Sequence, residues 1–93
     1  MSTPEHIIEQ YFVQQVKTHG LLEFKFLSGT SGVPDRILIG NSKVVFVELK
    51  AEGKKPRKLQ VYRMEQIKSH GIPVRVIDSK SGVDNLIKEI LNK

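Results

Sequence analysis

Cysteine is absent from all 93 residues, which excludes a disulfide scaffold and any thiolate zinc site and leaves a metal only oxygen or imidazole donors. No apolar run approaches the ~20 residues that cross a bilayer, and Glu5 and Glu9 interrupt the apolar residues at the N-terminus. Neither a membrane span nor a signal peptide is therefore expected. There is no Gly-x-x-x-x-Gly-Lys loop and no nucleophile elbow, so P-loop nucleotide hydrolysis and acyl transfer are disfavoured. His6, His19 and His70 share no metal-ligand spacing and fall near the ends of expected helices. What is present, 39% hydrophobic and 27% charged residues, is ordinary for a soluble globular domain, and the length suits one domain over residues 1–93 with a single modest core.

Acidic residues are the minority, 10 against 15 Lys and Arg, and the formal charge of +5 favours polyanionic partners. The distribution is more informative than the total. Lys54, Lys55, Arg57 and Lys58 put four cations into five positions around Pro56. Such a run is either a solvated loop or a phosphate-contacting patch.

Thr3-Pro4-Glu5 carries the signals of a helix start, and His19-Gly20 those of a stop, which predicts a first helix from Pro4 to His19 with Ile8, Phe12 and Val16 on its apolar side. Glu9 is an acid on or beside that stripe. Leu22 to Leu27 alternates with period two until its last residue and reads as a strand, possibly at an edge of the sheet. After a flexible loop, Arg36-Ile37-Leu38-Ile39 and Val44-Val45-Phe46-Val47 flank Gly40-Asn41-Ser42-Lys43, the pattern of a hairpin. Pro56 suits the first turn of a second helix running to His70, with Leu59, Met64 and Ile67 turned inward. Ile72 to Ile77 reads as a strand joined to the hairpin by that helix in a βαβ unit. Ser81 and Asp84 resemble a capping box for a third helix, with Val83, Leu86, Ile87, Ile90 and Leu91 as its stripe. The predicted class is α/β with a mixed α+β sheet, in the order α-β-β-β-α-β-α.

The hairpin brings charges together. With the turn centred on Asn41 and Ser42, opposed residues have numbers summing to about 83, so Asp35 faces Glu48 across a Cβ gap of ~5 Å. Lys50, two residues beyond Glu48, emerges on the same face. Facing carboxylates repel, and a divalent cation between them reverses that sign. A structural salt-bridge network with Lys50 and Arg36 accounts for the charges without a metal, but not for Pro-Asp opening the hairpin or for Gln60 following it.

This constellation resembles the active site of the PD-(D/E)xK nuclease superfamily. Gly32-Val33-Pro34-Asp35, the apolar hairpin, Val47-Glu48-Leu49-Lys50, the basic loop and Gln60 together resemble its VRR-Nuc branch, small stand-alone phage or bacterial type, over nearly the whole chain. The resemblance implies the superfamily's restriction-endonuclease-like core and a metal-dependent DNA endonuclease. Asp35, Glu48 and the backbone carbonyl of Leu49 would hold Mg2+ or Mn2+, and Glu9 matches the first-helix acid that holds or positions metal. Lys50 would act either as base toward the attacking water or as charge stabiliser, Gln60 would support the site, and Lys54, Lys55, Arg57 and Lys58 would contact phosphates. It further implies a homodimer acting on branched DNA, a four-way junction or flap, in the manner of a Holliday-junction resolvase. The place of action would be the bacterial cytosol or nucleoid, or the host cytosol for a phage-encoded enzyme. The competing class is a non-catalytic nucleic-acid-binding module with a structural charge cluster, which predicts salt-sensitive binding without metal or cleavage.

Overall fold

A computed structural model describes residues 3–92. Its first element, helix α1 (Pro4–Thr18), starts where the Thr3 hydroxyl accepts from the His6 N–H, with proline at the first helical position, and it stops at His19 ahead of Gly20 at φ +70°. Strands β1 (Leu22–Lys25), β2 (Arg36–Gly40) and β3 (Lys43–Leu49), helix α2 (Lys58–Ser69), strand β4 (Val74–Ile77) and helix α3 (Lys80–Leu91) follow, which is the expected order. The four strands form one sheet in the order β1-β2-β3-β4, antiparallel except for the parallel β3–β4 pair across the α2 crossover.

The hairpin register is the one read from the sequence. Gly40 pairs with Lys43 and Arg36 with Val47. Asn41 and Ser42 both take positive φ, 51° and 62°, as a type I′ turn requires. The turn is also tied down, because the Asn41 amide donates to the Ile90 carbonyl at 3.0 Å and the Lys43 ammonium to that of Glu89 at 3.3 Å, satisfying the C-terminal end of α3.

Strand alternation divides the sheet into two faces. Leu38, Val45, Val47, Leu49 and Ile77 face α1 and α3 and form the core with Ile8, Phe12, Val16, Val83, Leu86, Ile87 and Ile90. Each such side chain contributes about 1.5–3 kcal/mol by leaving water. The other face carries Leu22, Phe24, Ile37, Ile39, Val44, Phe46, Glu48 and Val76, as the strand pairings require. Helix α2 covers this face only in part. Met64 is buried there, whereas Leu22 and Phe24 remain more than half exposed.

Several boundaries differ from the sequence reading. Helix α2 begins at Lys58 with Arg57 as N-cap, two residues after Pro56, because the Arg57 N–H is taken by the Gln60 side chain at 2.8 Å. Leu59 is exposed rather than inward-facing, since α2 lies on the sheet by a narrow strip at Met64. The N-cap of α3 is Ser79, whose hydroxyl accepts from the Gly82 N–H at 3.0 Å, and Leu91 is exposed. Strand β1 ends at Lys25, although the Phe26 N–H still donates to the Asp35 carbonyl at 2.7 Å, and β4 begins at Val74, after Pro73, which has no N–H to donate.

Gly32 seats the loop before Asp35 on α2. It stands at φ +87°, and a Cβ there would lie 2.7 Å from Leu59 Cγ and 3.0 Å from the Leu59 carbonyl oxygen. Arg63 holds the same loop through the Ser31 carbonyl at 3.1 Å. Gly32→Ala is expected to cost about 1–3 kcal/mol, from left-handed strain and the clash together. That cost should appear as a lower midpoint in urea with an unchanged slope; an unchanged midpoint would mean the loop moves freely off α2.

Candidate active site

The site lies at the open end of the hairpin, opposite its turn. Asp35 immediately precedes β2 and is exposed, while Glu48, near the end of β3, is 8% exposed. The register that pairs Arg36 with Val47 sets Asp35 beside Glu48 on the α2 face. Lys50 brings its ammonium to 3.5 Å from the Glu48 carboxylate. Gln60, in the first turn of α2, donates to the same carboxylate at 3.1 Å. Its amide cannot turn over without loss, because its oxygen accepts from the Arg57 N–H, so the –NH2 is aimed at Glu48.

Electrostatics at Glu48 run against ionisation. Burial pushes its carboxyl above the usual carboxylate range, the charges of Asp35 and Glu5 push it further, and Lys50 opposes them without prevailing. A buried carboxylate held against ionisation despite the ammonium beside it is a suitable oxygen donor for a hard cation. Among the described residues no three His, Asp or Glu side chains converge on one point. Two carboxylates and the Leu49 carbonyl would still suffice for magnesium, which keeps several of its waters.

Of the residues singled out from sequence, the structure gathers Asp35, Glu48, Lys50 and Gln60. It places Glu9 elsewhere: its carboxylate is taken by the Arg36 guanidinium and by His6 Nδ1 at 3.1 Å. Arg36 likewise lies apart from Asp35 and Glu48. Being next to Asp35 in a strand it points to the opposite face, where it is 5% exposed and also binds Glu23 at 2.5 Å. The acid of α1 whose charge reaches Glu48 is Glu5, one turn before Glu9. Sequence reasoning passed over it although it shares the i, i+4 stripe with Glu9. Lys54, Lys55, Arg57 and Lys58 are all exposed, on the segment between Lys50 and Gln60.

A buried Glu with a Lys two residues on, an Asp across the hairpin and a Gln from the next helix, on an αβββαβα frame, define a nuclease of the PD-(D/E)xK type. No family model matches the chain. It is 40% identical over 78 residues to "Putative nuclease p44" of Acyrthosiphon pisum secondary endosymbiont phage 1, covering 82% of this chain and 84% of that protein. A solved "VRR_NUC domain" superposes with a TM-score of 0.83 at 31% identity, over 94% of this chain and 97% of the other. The chain belongs to the VRR-Nuc family.

Proposed function

We propose that this nuclease is a metal-dependent DNA endonuclease that works as a homodimer on branched DNA. The observation that carries the catalytic reading is Glu48 itself, a buried carboxylate whose ionisation the charges of Asp35 and Glu5 oppose and which Gln60 orients. Magnesium or manganese held by Asp35, Glu48 and the Leu49 carbonyl would supply Lewis-acid stabilisation of the charge that builds on the scissile phosphate. Gln60 fixes the Glu48 carboxylate. Lys50 offers an ammonium to the attacking water or to a phosphate oxygen, beside the carboxylate that sets its position. Glu5 adds negative charge from the α1 side, while Glu9 acts through Arg36 in holding α1 to β2. Lys54, Lys55, Arg57 and Lys58 bind flanking phosphates.

The dimer reading is supported by the half of the sheet that α2 leaves open. Leu22, Phe24 and Val44 are 55%, 53% and 43% exposed on one face, with Ile37 and Ile39 between them. An apolar patch of this kind beside a site is the usual mark of an interface, and a two-fold axis would supply the second centre needed to cut two strands symmetrically.

The test is cleavage of duplex, flap and four-way junction DNA by wild type and Glu48→Ala in magnesium, manganese or EDTA, alongside light scattering of wild type and Phe24→Glu. Metal-dependent cutting by wild type alone is expected, with symmetric nicks at the junction and a dimeric mass that Phe24→Glu halves. Binding without cutting by both proteins under every condition would replace the enzyme by a basic nucleic-acid-binding module. A wild-type mass of one chain would remove the dimer and leave the endonuclease standing.

A further inference from the structure

A second groove, on the face of the sheet away from Glu48, lies between the flank of α1 and the β1–β2 edge. It is lined by Gln10, Val13, Gln14 and Lys17 from the helix and by Lys25 and Arg36 from the strands, with His6 and Glu9 at the end nearest the active site. Arg36 is already occupied by Glu9 and Glu23. Lys17 and Lys25 are exposed and form no ion pair with any described residue. The side chains of Gln10 and Gln14 make no hydrogen bond within the described residues. Positions 10, 14 and 17 stand at the i, i+4, i+7 spacing of one helical stripe, advancing about 1.5 Å per residue along the axis. The stripe therefore sets two amides and an ammonium in a row roughly 10 Å long, with the Lys25 ammonium across the groove from it.

We infer that the α1–β1 groove binds the sugar-phosphate backbone of the nucleic-acid substrate on the side of the scissile position opposite the basic loop. This rests on the nuclease reading of the Asp35–Glu48 site. The chemistry fits a backbone better than a base: the unpaired groups are amides and ammoniums, which match phosphate and sugar oxygens and carry no sequence preference. No Phe, Tyr or Trp lines the groove, and its one ring, the imidazole of His6, is engaged by Glu9, so the groove is poorly suited to stacking an unpaired base. The spread of charge along it is also appropriate. Lys25 stands beside Arg36 across the β1–β2 pair and near the Glu9 carboxylate, whereas Lys17 lies about two turns of α1 beyond Glu9, so the two cations are spread along the groove as neighbouring phosphates would be.

The experiment uses Glu48→Gln protein, so that binding is read without cleavage, and measures anisotropy of a labelled four-way junction and a labelled duplex across a salt series. The added pairs are Lys17→Glu with Lys25→Glu, and, separately, Lys54→Glu with Lys55→Glu. A single Lys88→Glu change on α3, outside both patches, gives the effect of reversing one charge elsewhere, half the charge change of each pair. Each phosphate contact contributes about 0.9 to the slope of log K against log salt on duplex DNA, so the Lys17/Lys25 pair is expected to lower the slope by nearly two and to weaken binding more than tenfold at low salt. Unfolding midpoints should fall only slightly, since both lysines are exposed and make no ion pair, Lys25 acting through its charge on Glu9 and Lys17 through its place in the last turn of α1. If the Lys54/Lys55 pair lowers the slope while the Lys17/Lys25 pair has no more than twice the effect of Lys88→Glu, the groove proposal is overturned and the nuclease reading stands. If the Glu48→Gln parent binds neither DNA at any salt, the DNA-cleaving reading fails and the groove proposal falls with it.

Discussion

Glu48→Gln is expected to lose cleavage by about 10³-fold, the scale of removing a group that stabilises developing charge, while the metal-free protein becomes more resistant to heat at pH 8. The second effect follows from where the carboxylate sits. Burial, then Asp35 and Glu5, raise the Glu48 carboxyl against the opposing charge of Lys50, so the folded protein holds this proton more tightly than the unfolded chain. A group raised in this way contributes stability that is fully present below the unfolded carboxylate range and is lost as pH rises through the folded value. At pH 8 the ionised side chain is therefore a net cost, and the amide of glutamine removes it while preserving shape. Magnesium should reverse the ranking, raising the melting temperature of wild type and leaving Glu48→Gln unmoved. Melting curves at pH 5 and pH 8, in EDTA and in magnesium, check this. Were Glu48→Gln to melt below wild type at pH 8 in EDTA, the Lys50 ion pair would outweigh burial and the account of the site as a strained, cation-seeking pocket would be wrong.

Arg36→Met is expected to destabilise the fold strongly. The guanidinium is almost fully buried and joins α1 to β1 and β2 through Glu9 and Glu23. Breaking a buried pair by removing one partner costs about 3–5 kcal/mol. Here both acids keep some contact with water, at 30% and 21% exposure, which brings the expectation down to about 2–3 kcal/mol, or roughly 10–20 °C for a chain of this size. The loss has a signature in pH. Burial raises the Glu9 carboxyl, but the hydrogen bonds from Arg36 and His6, with the charges of Arg36 and Lys25, outweigh it and leave the group below its ordinary value. Such a group stabilises the fold above the unfolded carboxylate range, and the contribution disappears as pH falls through the folded value. The gap between wild type and Arg36→Met should thus narrow from pH 7 to pH 3 in thermal or urea melts. A gap of equal size at both pH values would show that the carboxylates are not what Arg36 holds.

Most of the candidate site was legible because a hairpin converts spacing into proximity. Once Asn41 and Ser42 are recognised as the turn, Asp35, Glu48 and Lys50 have no freedom to be apart. Gln60 was legible as a neighbour, but not the means by which its amide is oriented, since that depends on Arg57 and not Pro56 opening α2. The helix acid was the weakest point. Glu5 and Glu9 lie on one stripe, and pattern alone cannot decide which turn of α1 comes level with Glu48, because that depends on how the helix slides along the sheet. The competing salt-bridge reading drew on Arg36 because it is next to Asp35 in sequence, whereas strand alternation sends the two side chains to opposite faces. The extent of α2 burial was also beyond reach, because an amphipathic pattern names the apolar side of a helix but not how much of it finds a partner.

The tie between the hairpin turn and the end of α3 has a consequence for how the molecule assembles. Asn41 reaches the carbonyl of Ile90 across 49 positions of sequence, so the turn that sets the register of the hairpin is latched by a helix made well after it. The carboxylates can be brought opposite each other by the turn alone, but the latch and the core that Val45 and Val47 share with α3 arrive only once α3 has been made. Formation of the site is thereby coupled to completion of the fold, and the nascent chain is expected to carry the residues of a nuclease well before it holds them still.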